Sequence, residues 1–333
     1  MRKILLFDTA IDTGNLGDEI ILESVKKELS TILDSASVYR MGTHIENYSP
    51  IQMIAHKFIK PDTKIRDINE TVDYKFIGGT NLFLDNLHGI RPQFMLNLFN
   101  MSLYKNAVFV GVGRGSDFET VKDAYTRYLY THSLSRNITH SVRDEETKKA
   151  LEDMGFKAIN TGCPTLWRFT EEFCKSIPKV KAKNVVCSVS GHIPQRDIKK
   201  DKQMIECLKS NYDKIYVWIQ TAIDEEYFKT LTNQDNYQYK SIYSLNEFKR
   251  VLKNGDVDYI GTRLHGGIYA LQNRVRSIII AIDERANGFY ESNNIPILQR
   301  KNMNSLDAII NGEIITDIHL NKESIRYFLN QFN

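Results

Sequence analysis

"VDYIGTRLHGGIYALQ", residues 257–272, passes from a strand-like run to a helix-like run within a few residues. Residues 257–260 form a short apolar run typical of a buried strand, and residues 264–272 are a mainly apolar stretch that we read as a helix. Arg263 and His265 lie on the turn between them. Neither helps to pack a parallel sheet, so the pair indicates a function at a strand end. A solvated arginine and a structural, hydrogen-bonded histidine stay open as alternatives.

Runs of both kinds alternate along the whole chain of 333 residues. In the first half the strand-like runs are 4–7, 37–40, 74–77, 107–110, 139–142 and 157–160, and the helix-like segments include 18–33, 92–104, 120–134 and 145–154. In the second half the strand-like runs are 184–190, 214–219, 257–260 and 277–282, and the helix-like segments are 200–211, 224–231, 244–252, 264–272 and 322–332. Strand–helix alternation predicts parallel sheets with helices on both faces.

A charged stretch interrupts this alternation at residues 170–183 and is typical of a linker. We therefore expect an α/β fold with two Rossmann-like domains facing a central cleft. The expected bounds are 1–175 for the first domain, 184–317 for the second and 318–333 for a C-terminal helix. A ligand would then lie in the cleft, near the carboxyl ends of the strands.

The composition excludes several classes of protein. Lys and Arg number 44 against 41 Asp and Glu, a net charge of +3 without basic tracts, which argues against a nucleic-acid partner. The 4 cysteines are scattered, which indicates a reducing compartment, and no Cys/His spacing is typical of a metal site. The apolar run after Met1 is too short for a signal peptide, and no run is long enough to span a membrane. We therefore expect a cytoplasmic protein.

Glycine-rich or polar segments follow other strand-like runs of the first half. Several of them also have an ordinary structural explanation, such as a capped turn or a helix start. The G-x-G-x-G pattern at 111–115 is not the dinucleotide-binding fingerprint, so we expect no nicotinamide cofactor. The segments are DTGNLGDEIIL (12–22), FIGGTNLFLD (76–85), VFVGVGRGSDF (108–118), SVRDEET (141–147) and TGCPTLW (161–167).

Taken in order, these segments resemble the polysaccharide pyruvyl transferase family. The resemblance rests on GNLGDEII, GGTNLF, GVGRG, SVRDEET, TGCPTLW, TRLHGGIYAL and IDERANGF, which span residues 14–289. It implies a GT-B-like enzyme that transfers the pyruvyl group of phosphoenolpyruvate to sugar hydroxyls as a ketal, in surface polysaccharide biosynthesis. It also implies an acceptor side in the first domain, a donor side in the second, and a last helix that packs back toward the first. Family members often have an acidic residue where this chain has Cys163, and a lysine where it has Arg285.

The resemblance implies Arg143 and Arg263 as donor-binding residues and His265 as the general acid or a phosphate contact. Arginine suits the carboxylate and phosphate of phosphoenolpyruvate, and histidine suits protonation of its methylene carbon. A carboxylate must then take the proton of the sugar hydroxyl, with Asp18 as the first choice and Asp85 as the second. No metal and no further cofactor is required. The other predicted donor contacts are Gly266 and Arg285, and the predicted acceptor contacts are Asn15, Gly17, Asp18, Gly78, Gly79, Thr80, Asn81 and Asp85.

Two other functions stay open. The first is a GT-B glycosyltransferase with a nucleotide-sugar donor, whose diphosphate Arg263 would bind. The second is a non-catalytic carbohydrate-binding protein. The acceptor could be a lipid-linked oligosaccharide, and the pI of about 8.4 would permit attachment to the anionic inner face of the membrane. The lysines that could provide this attachment are Lys181, Lys183, Lys199, Lys200 and Lys202.

Overall fold

A computed structural model describes residues 1–43, 68–88, 94–233, 236–282 and 293–333. The chain divides into two compact units. Unit 1 comprises Met1–Thr13, Ile21–Trp167 and Asn321–Asn333, and unit 2 comprises Gly14–Ile20 and Arg168–Leu320. These bounds differ from the predicted ones. Residues 14–20 and 168–175 belong to unit 2 rather than to the first domain, and unit 2 also includes the predicted linker residues 176–183 and extends to Leu320 rather than ending at residue 317.

Each unit contains one six-stranded sheet, and the described strand pairs are all parallel. The strand order is β2-β1-β3-β4-β5-β6 in unit 1 and β12-β11-β10-β7-β8-β9 in unit 2. The predicted α/β class with two Rossmann-like halves is confirmed. The strands are β1 (Arg2–Asp8), β2 (Ala36–Gly42), β3 (Tyr74–Phe83), β4 (Ala107–Arg114), β5 (His140–Val142), β6 (Ala158–Asn160), β7 (Asn184–Ser188), β8 (Ile215–Trp218), β9 (Lys240–Ile242), β10 (Val257–Gly261), β11 (Ser277–Ala281) and β12 (Ile297–Gln299).

Helices connect most of these strands. The α-helices are α1 (Leu16–Glu28), α2 (Ser30–Leu33), α3 (Ala124–Ser133), α4 (Glu145–Asp153), α5 (Glu171–Lys175), α6 (Ile198–Asn211), α7 (Ala222–Thr232), α8 (Leu245–Asn254), α9 (Leu264–Gln272), α10 (Leu306–Asn311) and α11 (Lys322–Asn330). Short 3-10 helices occupy Pro164–Leu166, Ile193–Gln195 and Arg300–Ser305.

Strand β1 shows why its sequence is continuously apolar. Ile4 and Leu6 pack into one hydrophobic cluster of unit 1, whereas Leu5 and Phe7 pack into the other. Successive side chains of a strand point to opposite faces, so a sheet covered on both faces needs apolar residues at every position. The run 4–7 is therefore buried throughout.

The last helix, α11, belongs to unit 1. Phe328 and Phe332 are fully buried and join the cluster that contains Ile4, Leu6 and Trp167. The ring of Phe332 packs edge-on against Phe76, with 4.9 Å between the ring centroids. The final residues of the chain thus complete the core that the first strand begins.

Two local predictions are wrong. A helix was expected at 92–104, but residues 98–106 form turns, and residues 92–93 lie outside the described residues. Asn97 accounts for the difference, because its side-chain oxygen accepts hydrogen bonds from the backbone amides of Phe99 and Asn100. Asparagine side chains compete in this way with the backbone of a helix. The strand-like run 74–77 was expected to end before Gly78, but β3 continues to Phe83.

Candidate active site

The turn at Arg263 lies at the carboxyl edge of the second sheet. The central strands of this sheet are β10, β7 and β8, which end at Gly261, Ser188 and Trp218. The amide of Thr262 donates to the Ser188 carbonyl oxygen at 3.0 Å, so the hydrogen bonding between β10 and β7 continues for one residue beyond the end of β10. Carboxyl ends of parallel strands meet at one edge, which is where open α/β sheets bind ligands.

Arg263 is buried and pairs with Asp224, a carboxylate that sequence analysis had placed only as a helix residue. Its Nε donates to Asp224 Oδ2 at 2.9 Å, and its Nη2 contacts Asp224 Oδ1 and donates to Thr221 Oγ1 at 3.1 Å. Arg263 is 8% exposed and Asp224 is fully buried. One edge of the guanidinium is therefore already occupied, and Nη1 forms no hydrogen bond with any residue that the structure describes.

Asp224 holds three groups at once. Besides Arg263, it accepts from the amide of Thr221 in a capping box at the start of α7 and from the amide of Gly191 at 2.8 Å. The sequence contains the T-x-x-D pattern of that cap. Its pairing with Arg263 could not be read from the sequence, because it depends on β10 and β8 both flanking β7.

The backbone of Arg263 is fixed from inside the sheet. The Tyr259 hydroxyl donates to the Arg263 carbonyl oxygen at 2.8 Å, and the Arg263 amide donates to Ser188 Oγ at 3.2 Å. Burial raises the pKa of Tyr259 well above its usual range, so the hydroxyl keeps its proton. A Cβ atom at Gly261 would lie 2.6 Å from the Ser188 amide nitrogen, which explains the glycine at the end of β10.

His265 and Gly266 occupy the first turn of α9. His265 is half-buried. A Cβ atom at Gly266 would lie 2.7 Å from the Tyr259 hydroxyl oxygen and 3.2 Å from Cδ1 of Trp218, so this glycine lets α9 approach the sheet closely. The helix begins at Arg263 without a side-chain cap. The predicted donor contacts His265 and Gly266 thus share the amino end of α9 with Arg263, whereas Arg285 lies outside the described residues.

The predicted acceptor residues at 15–18 also belong to unit 2. Asn15 Oδ1 accepts from the amide of Gly17 at 3.0 Å and from Nε2 of Gln220 at 2.9 Å. The Gln220 carbonyl oxygen accepts from the amide of Leu16 at 3.0 Å. Gln220 follows β8 and was not predicted. It lies so close to Gly17 that a Cβ atom there would be 2.7 Å from Nε2.

Asp18 lies in the first turn of α1 and is 5% exposed. Its amide donates to the Asn15 carbonyl oxygen at 2.9 Å, which closes the turn at the start of the helix. Asp18 had been assigned to the first half of the chain, but the structure groups it with Arg263 and His265 in unit 2.

In unit 1, Arg143 follows β5 and lies flat on the backbone of β4. A Cβ atom at Gly113 would lie 2.7 Å from Cζ of Arg143, so only glycine leaves room for the guanidinium. Nη2 of Arg143 donates to Asn81 Oδ1, and Nε lies 3.6 Å from Asp144 Oδ2. The side chain is 7% exposed. The predicted donor residue Arg143 and the predicted acceptor residue Asn81 are therefore in direct contact.

The other two glycines of GVGRG also have packing roles. Gly111 has a φ of +65°, and a Cβ atom there would overlap the ring of Pro164. A Cβ atom at Gly115 would lie 2.8 Å from the Asn81 carbonyl oxygen. All three positions are thus explained by close contacts within unit 1.

The predicted acceptor contacts at 78–80 fall inside β3. Gly78 and Gly79 are buried, and Cβ atoms there would meet Val25 at 3.4 Å and Ile21 at 3.0 Å on helix α1. Gly79 therefore permits helix α1 to pack closely on the sheet, whereas a Cβ atom at Gly78 would make only ordinary contacts. Thr80 has a φ of +100° and begins an irregularity in the pairing of β3 with β4, and it is half-buried.

Asp85 lies at the rim of an open pocket of about 430 Å³ in unit 1. Its Oδ1 accepts from Ser116 Oγ at 3.0 Å. Asp123, across the pocket, caps α3 and pairs with Nε2 of His88 at 3.1 Å. Hydrogen bonds from Thr126, with a smaller contribution from His88, lower the pKa of Asp123. The pocket is lined by Asp85, Asn86, Phe118, Glu119, Thr120, Lys122 and Asp123.

Cys163 stands where family members often have an acidic residue. It is buried, and Thr165 Oγ1 donates to its sulfur at 3.1 Å. Burial raises the pKa of this thiol, although Thr165 and Arg143 oppose the shift, so the residue does not replace a carboxylate as an anion. Within the described residues, no group of three or more His, Cys, Asp or Glu side chains could hold a metal ion.

Comparisons with known proteins concern both the sequence and the fold. The sequence model of the polysaccharide pyruvyl transferase family matches residues 15–284. No curated protein is detectably similar to the chain. A UDP-GlcNAc 2-epimerase of Methanocaldococcus jannaschii, solved with UDP-GlcNAc and UDP, aligns over 98% of both chains with 14% identity and a TM-score of 0.50.

Two further solved structures align less closely. A UDP-GlcNAc 2-epimerase of Neisseria meningitidis bound to UDP-GlcNAc covers 100% of this chain and 94% of its own, with 11% identity and a TM-score of 0.47. The alignment with the E. coli heptosyltransferase WaaC with ADP-2-deoxy-2-fluoro heptose covers 84% of this chain and 88% of WaaC, with 11% identity and a TM-score of 0.39. At such identities the M. jannaschii alignment supports a GT-B-like fold and says nothing of the substrate.

Proposed function

Because the chain belongs to the polysaccharide pyruvyl transferase family, we propose that it transfers the pyruvyl group of phosphoenolpyruvate to two hydroxyl groups of a sugar. The observation that carries the proposal is the family match over residues 15–284, a range that includes Arg143, Arg263 and His265. The acceptor would be an intermediate of a surface polysaccharide.

The reaction needs one acid and one base. His265 protonates the methylene carbon of phosphoenolpyruvate, which leaves an oxocarbenium-like centre at C2. A sugar hydroxyl attacks C2 and gives its proton to a carboxylate, and the bond between C2 and the phosphate oxygen breaks. A second hydroxyl then closes the cyclic ketal and gives its proton to the now neutral His265, while the carboxylate passes its proton to the departing phosphate, so that one HPO4²⁻ is released and no water is consumed.

The anionic donor needs positive charge and hydrogen-bond donors. In unit 2, Nη1 of Arg263 and the amino end of α9, which has no side-chain cap, provide both, and the family resemblance implies Arg143 as a further donor contact. Asp18 is favoured as the base because it belongs to the same unit as Arg263 and His265. Asp85 belongs to unit 1 and lines an open pocket that suits a sugar, so it is the second choice.

The test is to incubate the purified protein with phosphoenolpyruvate and a panel of sugar acceptors. Release of inorganic phosphate together with a mass gain of one pyruvyl ketal on the sugar would support the proposal. Consumption of nucleotide sugars under the same conditions, without turnover of phosphoenolpyruvate, would replace it with a glycosyltransferase. Sugar binding without either reaction would replace it with a carbohydrate-binding function.

Variants of His265 test the assigned acid. His265→Ala should lose about 10²- to 10⁴-fold in turnover, the usual contribution of a general acid. His265→Gln can donate a hydrogen bond but cannot give up a proton, so it should lose as much. Near-normal turnover of the glutamine variant would leave His265 with a binding role only.

A further inference from the structure

Residues 192–202 of unit 2, here called the basic segment, expose two large aliphatic side chains. Ile193 is 78% exposed and Ile198 is 58% exposed. Ile193 lies in the 3-10 helix Ile193–Gln195, and Ile198 opens α6. Single exposed aliphatic residues are common, but these two belong to one short segment that also carries a high positive charge.

The outward charge of the basic segment is positive. Arg196, Lys199 and Lys202 are exposed, and Lys200 is half-buried. The two carboxylates of the segment are used internally: Asp197 caps α6 by accepting from the Lys200 amide, and Asp201 is buried against Arg300 and the Tyr227 hydroxyl. None of the three lysines forms an ion pair with a residue in the described part of the chain.

Side-chain hydrogen bonds hold the backbone near Ile193 in place. Nη1 of Arg300 donates to the Gln195 carbonyl oxygen at 2.6 Å, and Nε of Arg196 donates to the Gly191 carbonyl oxygen at 2.6 Å. The Arg196 guanidinium also lies 4.9 Å from the ring centre of Tyr227. These contacts fix the backbone on either side of Ile193, so its side chain is held in an exposed position.

We propose that the basic segment binds the surface of an anionic lipid bilayer. Ile193 and Ile198 enter the boundary between headgroups and acyl chains, and the surrounding cations bind the lipid phosphates. No helix in the described ranges is long and apolar enough to cross a membrane.

The chemistry of the segment favours a bilayer over a protein partner. Protein interfaces are enriched in aromatic residues and depleted of lysine, whereas this segment has three lysines and no aromatic side chain other than His192. Lipid headgroups present a continuous negative surface that suits cations without fixed partners.

The position of the segment connects it to the candidate active site. It begins directly after Gly191, whose amide donates to Asp224, the partner of Arg263. A membrane-bound segment would hold that edge of the sheet near the lipid surface, where a lipid-linked acceptor is anchored. This consequence for the acceptor rests on the proposed function, whereas membrane binding itself does not.

Vesicle flotation of the full chain tests the proposal without any assay of activity. The vesicles contain either phosphatidylcholine alone or equal parts of phosphatidylcholine and phosphatidylglycerol. The test variants are Ile193→Ser/Ile198→Ser and Lys199→Glu/Lys202→Glu. Matched controls are Ile315→Ser, at a site that is 69% exposed, and Lys149→Glu/Lys253→Glu, at two exposed lysines of other helices.

The wild type should float with the anionic vesicles at low salt and not with phosphatidylcholine alone, and added salt should release it because surface charges are screened. Each cation near an anionic surface contributes about 5-fold in partitioning, so reversing two charges should reduce binding by more than about 20-fold. The isoleucine variant should bind at least about 10-fold more weakly. Both controls should float like the wild type.

Absence of wild-type binding, equal binding to both vesicle types, or loss of binding in the controls as in the test variants would overturn the proposal. Because all the substituted side chains are exposed, the variants should keep the circular dichroism spectrum of the wild type. If the chain binds anionic vesicles but transfers no pyruvyl group, the proposed function fails and the membrane contact stands.

Discussion

Arg263 cannot be treated as an isolated cation, because Asp224 holds it inside unit 2. Removing either partner leaves the other charge buried without its counter-ion, which typically costs about 3–5 kcal/mol. We expect Asp224→Ala and Arg263→Ala each to lower the free energy of unfolding by about that much, as measured by urea denaturation. Asp317→Ala is the control, since Asp317 is 62% exposed and pairs only with the exposed His319 among described residues.

A loss below about 1 kcal/mol in both variants would show that the pair is loosely held. The stability of Arg263→Ala also determines the temperature at which its affinity for phosphoenolpyruvate can be measured. A weak affinity of Arg263→Ala for phosphoenolpyruvate counts as evidence for a contact only at a temperature where the variant is folded.

Gly113 gives a second prediction for a single residue. A Cβ atom at this position would displace the Arg143 guanidinium, because its three nearest neighbours would all be atoms of the Arg143 side chain. If Arg143 binds the donor, Gly113→Ala should weaken the affinity for phosphoenolpyruvate at least about 10-fold, which is the loss of one hydrogen bond to a charged group. Isothermal titration calorimetry measures this affinity.

Gly14→Ala is the matched control, because a Cβ atom at Gly14 would meet no atom within 4 Å. Arg143→Ala should lose at least as much affinity as Gly113→Ala. Unchanged affinity in both Gly113→Ala and Arg143→Ala would remove Arg143 from the donor site.

Among the elements, β5 is held to β4 by its side chains more than by its backbone. The His140 ring accepts from the Phe109 amide at Nδ1 and donates from Nε2 to the Ser135 carbonyl oxygen. Ser141 Oγ accepts from the Gly111 amide at 2.9 Å. The strand is only three residues long, and these contacts position the residue that follows it, Arg143.

This arrangement predicts an acid-sensitive stability. Burial lowers the pKa of His140 from 6.5 to about 4, because the charged ring would lose its hydration, and the hydrogen bond to the Ser135 carbonyl oxygen only partly opposes this shift. Above pH 6.5 the His140 ring is neutral in both the folded and the unfolded state, so its full contribution to the free energy of unfolding is present. As the pH falls toward about 4, the unfolded state binds the proton first, and stability declines by up to about 1.4 kcal/mol per pH unit.

Urea denaturation between pH 7 and about 4 measures the slope. His140→Asn should have a lower free energy of unfolding at neutral pH, but it should not show the further decline that protonation of His140 causes as the pH falls. His319→Asn should keep it, because His319 is 65% exposed. Equal slopes in the wild type and His140→Asn would contradict the prediction.

The elements also show what the sequence could predict. Buried runs such as 4–7 and 257–260 were recognised because a sheet covered on both faces requires continuous apolar residues. The turns at 98–106 were not recognised, because asparagine side chains compete with the helical backbone only in a particular geometry. Gly79 resembles a turn glycine in sequence, and only the close packing of α1 shows why a glycine lies at this position within β3.

The same distinction applies to the candidate site. Arg263 and His265 were predicted because neither residue helps to pack a parallel sheet at a strand end, whereas Arg143 was predicted only from the family resemblance. Asp224 and Gln220 were missed because their contacts join segments that are 39 and 205 residues apart in the chain.

For the whole molecule, each unit has its own sheet and its own hydrophobic clusters, and each contains one of the 2 tryptophans. Trp167 packs in unit 1 against Phe328 of the last helix, with 6.1 Å between ring centroids. Trp218 is fully buried in unit 2 and stacks on Phe248 at 4.3 Å. Single-tryptophan variants, Trp218→Phe and Trp167→Phe, therefore report the unfolding of unit 1 and unit 2 separately.

Phe328→Ala should lower the stability of unit 1 alone. Phe328 is fully buried, and truncating such a side chain typically costs about 3–5 kcal/mol. In urea, the fluorescence transition of Trp167 should move to lower denaturant, while that of Trp218 should stay within error of its parent. Tyr327→Ala, at a neighbouring position that is 55% exposed, should move neither. If both transitions moved together in Phe328→Ala, the two units would unfold as one, and each tryptophan would report the whole chain.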